Sequence, residues 1–326
     1  MKKLVTGSTG FIGSAIARAL ILDGEEVKVL IRETSDTRNI DKLNVERAYG
    51  DIRDGDSMKK ALQGCDTLYF TAAYFAHWAP DPKLLYEVNV GGTKASLQAA
   101  LEAGVEKIVY TSTNNAIAAS GPIPANEEKA FNYWESGDHY SMSKYIAENE
   151  ARIFITRGLP VVIVNPTLVI GTNDIKPTPS GQMILDVVKH NMPGYIDGGI
   201  NIIDVDDVAR GHILAAQKGR VGERYLFGNR NITVHDYLHL IAEIAGVKPP
   251  ALKLPYRTAL VLGHFFEFMA SMTKKPPVVT ASEVRIAKMT EWYDCSKAVN
   301  ELGLPQTPIE ATIQKALEWF KENRYL

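Results

Sequence analysis

The chain has 326 residues, enough for one large domain or for two that share an interface. Hydrophobic residues make up 45% and charged residues 23%, and 36 Lys and Arg against 38 Asp and Glu leave a net charge of -2. That balance excludes a general nucleic-acid binder, which needs a basic excess, and gives the whole chain no attraction to an anionic membrane. Lys3–Thr6 predicts a short apolar strand, followed by glycines and a helix from about Phe11 to Leu22. Glu26–Ile31 and Arg47–Gly50 read as the second and third strands, Ser57–Gln63 as a helix and Asp66–Ala72 as the fourth strand. Pro82–Ala103 has helical periodicity up to Gly104, Lys107–Thr111 is the fifth strand, Tyr140–Arg157 a helix and Pro160–Val164 the sixth strand. Strands alternating with helices imply parallel βαβ units, so the expected class is α/β with a doubly wound parallel sheet.

Beyond Pro166 the pattern loosens. Thr172–Gly181 is rich in Thr, Pro, Gly and Ser and reads as a loop; Ile202–Ala216 again reads as strand then helix, and Pro308–Asn323 as an amphipathic helix. The expected division is a dinucleotide-binding domain over 1–170 with a returning segment near 202–228. A smaller, partly interleaved substrate lobe is expected over 171–326, its residues from Thr172 to Asp197 closing over the site. No stretch reaches the roughly 18 uninterrupted apolar residues of a membrane helix. Thr258–Met272 comes nearest, but His264 and Glu267 interrupt it; it reads as an amphipathic core or subunit-interface helix, with no membrane partner. Two cysteines, Cys65 and Cys295, and no secretory signal point to a reducing cytosol.

Three glycines in Gly7-Ser8-Thr9-Gly10-Phe11-Ile12-Gly13 stand between a strand and a helix. Gly7 suits a tight turn, Gly10 a close approach of backbone to a pyrophosphate, and Gly13 close packing of helix on sheet. The helix N-terminus then offers free N–H groups to phosphate, with Thr9, Phe11 and Ile12 alongside. The spacing is GxxGxxG, one residue wider than the usual dinucleotide fingerprint. Arg32 ends the second strand, where an NAD-binding chain usually carries Asp or Glu; with Thr34 and Ser35 it suits a 2'-phosphate. NADP is therefore the expected cofactor, with NAD as the alternative.

Tyr140-Ser141-Met142-Ser143-Lys144 puts a phenol and an ammonium on one helix face. A carbonyl that accepts hydride needs a proton at its oxygen; a phenol can supply it, and a neighbouring ammonium is expected to bring its pKa toward neutrality. The fifth strand ends Thr111-Ser112-Thr113, which adds hydroxyls to orient that oxygen. His235 and His239 stand one turn apart, but no third ligand is evident and no metal site is expected.

With these residues in place, the chain resembles an extended short-chain dehydrogenase/reductase. The likeness is carried by Gly7–Gly13, Gly50–Asp54, Asn89–Thr93, Thr111–Thr113, Tyr140–Lys144 and Asn165-Pro166. Within that superfamily it is similar to the dihydroflavonol-4-reductase-like branch, and to the hopanoid-associated sugar epimerases through Ala79–Pro82, Asp174–Pro179 and Gly222–Tyr225. The resemblance implies Tyr140 as proton donor or acceptor, Lys144 on the ribose, Thr113 in place of the usual serine, and Asn89 in a supporting catalytic role. It also implies Asp51 and Ile52 beside the adenine, Ala72 and Ala73 along the cofactor cleft, Pro166 near the nicotinamide, and a homodimer through the helices after strands four and five. Asn114-Asn115 stands where sugar-nucleotide dehydratases carry Asp-Glu, and Arg285–Lys288 lacks their diphosphate pattern. The expected activity is interconversion of a small alcohol with its aldehyde or ketone, and the alternative is a nucleotide-sugar epimerase or dehydratase. Phe75, His77 and Trp78 are expected as a substrate lid.

Overall fold

A computed structural model of the chain describes residues 1–121 and 123–326. β1 (Lys2–Thr6) leads through the glycine loop into α1 (Phe11–Leu22), then β2 (Val27–Ile31), β3 (Glu46–Tyr49), α2 (Gly55–Leu62) and β4 (Cys65–Phe70). α3 (Lys83–Tyr86) passes through a widened, π-type turn at Glu87–Gly91 into α4 (Gly92–Ala103). β5 (Lys107–Thr111), α5 (His139–Thr156) and β6 (Val161–Pro166) complete the first half. Then come β7 (Leu168–Ile170), α6 (Pro179–Val188), β8 (Gly199–Asp204), α7 (Val205–Lys218), β9 (Arg224–Phe227) and β10 (Arg230–Thr233). The last helices are α8 (Val234–Ala245), α9 (Tyr256–Thr273), α10 (Ala281–Ala287) and α11 (Ile309–Glu322).

Seven parallel strands form the large sheet in the order β3-β2-β1-β4-β5-β6-β9. This is the expected doubly wound arrangement. β2 and β6 are buried along their whole length because helices cover both faces, which is why their sequences are almost continuously apolar. On one face Ile16 and Leu20 of α1 pack with Val208 and Ile213 of α7; on the other Met58, Leu97 and Phe154 cover the sheet. The strand order turns back between β1 and β4, the place where an open α/β sheet leaves a crevice at its carboxyl ends.

β7, β8 and β10 form a second sheet, roofed by Ile184 of α6, Leu238 of α8 and Ile313 and Phe320 of α11. β8 pairs here, and the chain re-enters the large sheet only at β9, beside β6. The predicted loop over Thr172–Gly181 ends sooner than expected. Thr178 accepts a hydrogen bond from the Gly181 amide and caps α6, whose first turn begins at Pro179.

Candidate active site

At the glycine loop, backbone comes so close to backbone that side chains are excluded. A Cβ on Gly13 would lie 2.3 Å from the Gly7 carbonyl oxygen, and one on Gly7 would lie 2.9 Å from the Ala72 backbone. Gly7 also has φ +65, which favours glycine. Gly10 differs: a Cβ there would meet only the Gly7 carbonyl, at 3.2 Å. Gly10 is the N-cap of α1 and brings no side chain to the first-turn amides, so this helix end opens into a cavity of about 680 Å³. The observations fit a dinucleotide pyrophosphate lying on Gly10, Phe11 and Ile12.

The cavity crosses the sheet, lined by residues that follow six of its seven strands. Arg32 and Ser35 border it after β2, Asp51, Ile52 and Arg53 after β3, and Thr9 in the glycine loop. The Arg32 amide donates to Ser35 Oγ at 3.0 Å, which turns the loop and leaves the guanidinium exposed. Arg53 binds Asp51 through Nη2 at 2.8 Å and holds that carboxyl below its usual range. The Asp51 charge is thus matched locally, and Arg32 is an additional cation at this edge.

Thr71, Ala72 and Ala73 line the middle, then Thr111, Ser112 and Thr113 after β5, and Pro166 after β6. The Ser112 hydroxyl is buried, with no hydrogen-bond partner among the described residues. α5 delivers Tyr140 and Lys144 to the same cavity. Its N-cap is Asp138, whose Oδ2 accepts from the Ser141 amide at 2.8 Å and from Ser141 Oγ at 2.5 Å. His77 Nδ1 lies 3.2 Å from the other Asp138 oxygen. Burial alone would lower the His77 pKa, but the Asp138 hydrogen bond and charge outweigh it and raise it. The Phe75 ring meets Tyr140 edge-on with centroids 4.6 Å apart.

Tyr140 departs from expectation. Desolvation, and then the Asp138 carboxylate, push its phenol well above the ordinary value, while a hydrogen bond with Thr113 only partly opposes them. Lys144 donates to the Thr111 carbonyl at 2.9 Å, and burial lowers its pKa to about 8. The expected lowering of the phenol pKa by this ammonium is therefore absent: the cation is engaged by backbone, and removal of the phenolate from water dominates.

From Thr113 a row of hydrogen bonds runs inward. Thr113 Oγ1 donates to Asn114 Oδ1 at 3.2 Å, and Asn114 Nδ2 donates to the Tyr293 hydroxyl at 3.1 Å. Tyr293 and Tyr133 hydroxyls are 3.3 Å apart, and Tyr133 donates to Glu291 Oε1 at 2.6 Å. Glu291 lines the cavity, and burial raises its pKa.

Among the residues picked out in the sequence, Asn89 lies apart from the cavity. Its Nδ2 donates to the Tyr74 carbonyl at 3.0 Å and to Ser143 Oγ at 2.9 Å, and its Oδ1 accepts from the Tyr74 amide at 2.7 Å. It bridges the β4 loop to α5. Phe75 and His77 of the expected lid line the cavity and Trp78 does not; from Thr172–Asp197 the lining residues are Thr178, Pro179 and Ser180. His235 and His239 stack on each other with centroids 4.2 Å apart, away from the cavity. Asp138, Asn201, Ile286 and Glu291 escaped sequence reasoning. Only Asp138 carried a local signal, as an N-cap residue two positions before Tyr140.

Residues 3–228 match the model of the NAD dependent epimerase/dehydratase family. A Synechocystis sp. protein, provisionally named dihydroflavonol 4-reductase, is 38% identical over 99% of this chain and 95% of its own. The sterol demethylase protein B of Methylococcus capsulatus is 34% identical over 99% of each chain. The crystal structure of gox2253 superposes with a TM-score of 0.88 at 42% identity, covering 99% of this chain and 98% of that one. The chain therefore belongs to the NAD dependent epimerase/dehydratase family, the extended short-chain dehydrogenases/reductases, and is an NAD(P)-dependent enzyme of that family.

Proposed function

We propose that this enzyme is an NADP(H)-dependent oxidoreductase that interconverts an alcohol with its ketone or aldehyde, with Tyr140 as proton donor and acceptor. The carrying observation is that Tyr140, Thr113 and Lys144 share one cavity with the open end of α1. Arg32 and Ser35 are the residues to hold a 2'-phosphate, and Lys144 the residue to hold the ribose hydroxyls. When bound, the dinucleotide supplies or accepts hydride. Thr113 Oγ1 and the Tyr140 phenol present two hydroxyls to one substrate oxygen, and the Tyr140 proton moves to that oxygen during reduction. Burial keeps the phenol protonated, so the proton that the reduced oxygen needs is in place.

Leu168, Ile200, Ile286 and Phe75 line the substrate end, with Glu291 and Asn201 as polar points. His77 and Lys144 are the basic groups there among the described lining residues, a sparse set to pair with a diphosphate. This supports an uncharged, largely apolar substrate over a nucleotide sugar, and the relatives' names, a dihydroflavonol reductase and a sterol demethylase protein, agree with it. The same reading makes the enzyme a cytoplasmic homodimer joined through α4 and α5, where Ile146 and Ile153 stand exposed.

NADPH oxidation followed by absorbance against a panel of uncharged ketones and aldehydes tests the proposal. Ketone-dependent oxidation is expected. Titration calorimetry with UDP- and GDP-sugars is expected to show no micromolar binding; such binding without net cofactor turnover would establish an epimerase instead.

A further inference from the structure

α9 packs with its small face. Ala259, Gly263 and Ala270 are its buried residues, and a Cβ on Gly263 would lie 2.9 Å from the Ala281 amide nitrogen of α10. The large side chains face the other way. Val261, Phe265, Phe268 and Met272 follow one another along a single stripe at helical spacing, and each is between 54 and 70% exposed. Leu262 and Met269 on the same helix, and Leu252 and Val278 in the loops before and after it, are exposed as well. Val261 to Met272 spans about 17 Å of helix. An apolar row of that length on a protein surface marks an interaction face.

The charge around it is lopsided. Between Gly246 and Ser282 there are five cations, Lys248, Lys253, Arg257, Lys274 and Lys275, and one carboxylate, Glu267, in a chain whose net charge is -2. Glu267 is half-buried: one oxygen accepts from the Ala281 amide at 2.9 Å and the other lies 3.4 Å from His264. Lys253 is matched by Asp197, and the other four cations form no ion pair among the described residues. Among the described residues no helix is long and apolar enough to cross a membrane. An apolar stripe with basic residues at both ends has the character of a helix that lies in a lipid headgroup layer.

We infer that α9 and its flanking lysines dock the protein on an anionic lipid surface. α10 lies between that face and the active site. α10 packs directly beneath α9, its Ile286 lines the cavity, and its Arg285 reaches the Ser136 carbonyl at 3.1 Å, just ahead of α5.

The test is vesicle co-sedimentation of the whole chain, which does not depend on the assigned reaction. Vesicles are phosphatidylcholine alone or an equal mixture with phosphatidylglycerol, each at low and high salt. Pelleting is expected with the mixture, weakened by salt and by omission of phosphatidylglycerol. Phe265→Ser with Phe268→Ser, and separately Lys274→Glu with Lys275→Glu, are each expected to weaken binding by about tenfold or more, because both remove what holds an interfacial helix. These side chains are exposed, so thermal midpoint and mass by analytical ultracentrifugation should stay unchanged. The inference is overturned if the parent stays in the supernatant with anionic vesicles, or if both variants pellet as it does. Equal pelleting with phosphatidylcholine alone overturns the anionic assignment. A parent oligomer that dissociates in the double-serine variant assigns the face to a second copy and overturns it as well.

Discussion

A phenol buried from water under the Phe75 ring, and then set near the Asp138 carboxylate, holds its proton tightly, and the chemistry assigned to Tyr140 depends on that proton. Tyr140→Phe should lower kcat by about 100-fold or more and leave the Kd for NADPH unchanged. Near-normal kcat in single-turnover assays would remove Tyr140 from the reaction. Arg32 bears on the choice of cofactor. A charge-assisted contact to a 2'-phosphate contributes about 1.5–3 kcal/mol, so kcat/KM should favour NADPH over NADH by roughly tenfold to a hundredfold. Arg32→Asp should reverse that order, because aspartate repels the phosphate and accepts from ribose hydroxyls. Equal use of both cofactors by the parent would refute the NADP assignment. Tyr140, Lys144 and Arg32 were legible because each sits at a fixed offset from a local landmark. Glu291 was not: it lines the site directly and is held there by Tyr133, 158 positions earlier in the chain, and no local pattern encodes such a contact.

At the scale of elements, the β1–loop–α1 unit is the tightest piece of the site. Gly13→Ala would drive a methyl into the Gly7 carbonyl, which is backbone and cannot rotate away. The loop must shift, so NADPH affinity measured by calorimetry should fall at least about tenfold. The start of α5 is a second case. Asp138→Ala removes the cap on the Ser141 amide and leaves His77 without its partner. A stability loss of about 1–2 kcal/mol is expected from the cap alone, read from chemical denaturation at unchanged m. Helical periodicity over Pro82–Ala103 revealed a helix, yet not its π-type turn at Glu87–Gly91, because one widened turn barely disturbs the apolar pattern. That turn contains the buried Asn89, which bridges to Tyr74 and Ser143.

Across the whole molecule, His212 of α7 ties one face of the sheet to β5. Its Nδ1 lies 2.7 Å from the Val208 carbonyl and so carries the proton, which leaves Nε2 to accept from Thr111 Oγ1 at 2.8 Å. Burial lowers its pKa from 6.5 to about 4. Between those values the unfolded chain binds the proton and the folded chain does not, so stability falls as pH falls through that window. On acidification from pH 7 to 5, the parent should lose about 2 kcal/mol more than His212→Gln does. Denaturation curves of both proteins at the two pH values check this; parallel losses would show that His212 is not the group titrating.

Some features followed from the sequence alone because they are local. Strand–glycine–helix spacing, the alternation of strands and helices, and the Tyr140–Lys144 interval all express backbone geometry within a few residues. The tertiary structure decided matters that depend on what comes to lie nearby. It buried the Tyr140 phenol, placed Asp138 near it and directed Lys144 to the Thr111 carbonyl, so that the phenol's pKa is raised rather than lowered. It also decided which way α9 faces. An apolar periodicity announces a stripe without saying whether large or small residues make the packing contact. Here Ala259, Gly263 and Ala270 allow α10 to approach closely, and the phenylalanines remain outside because the close-packed side had no room for them.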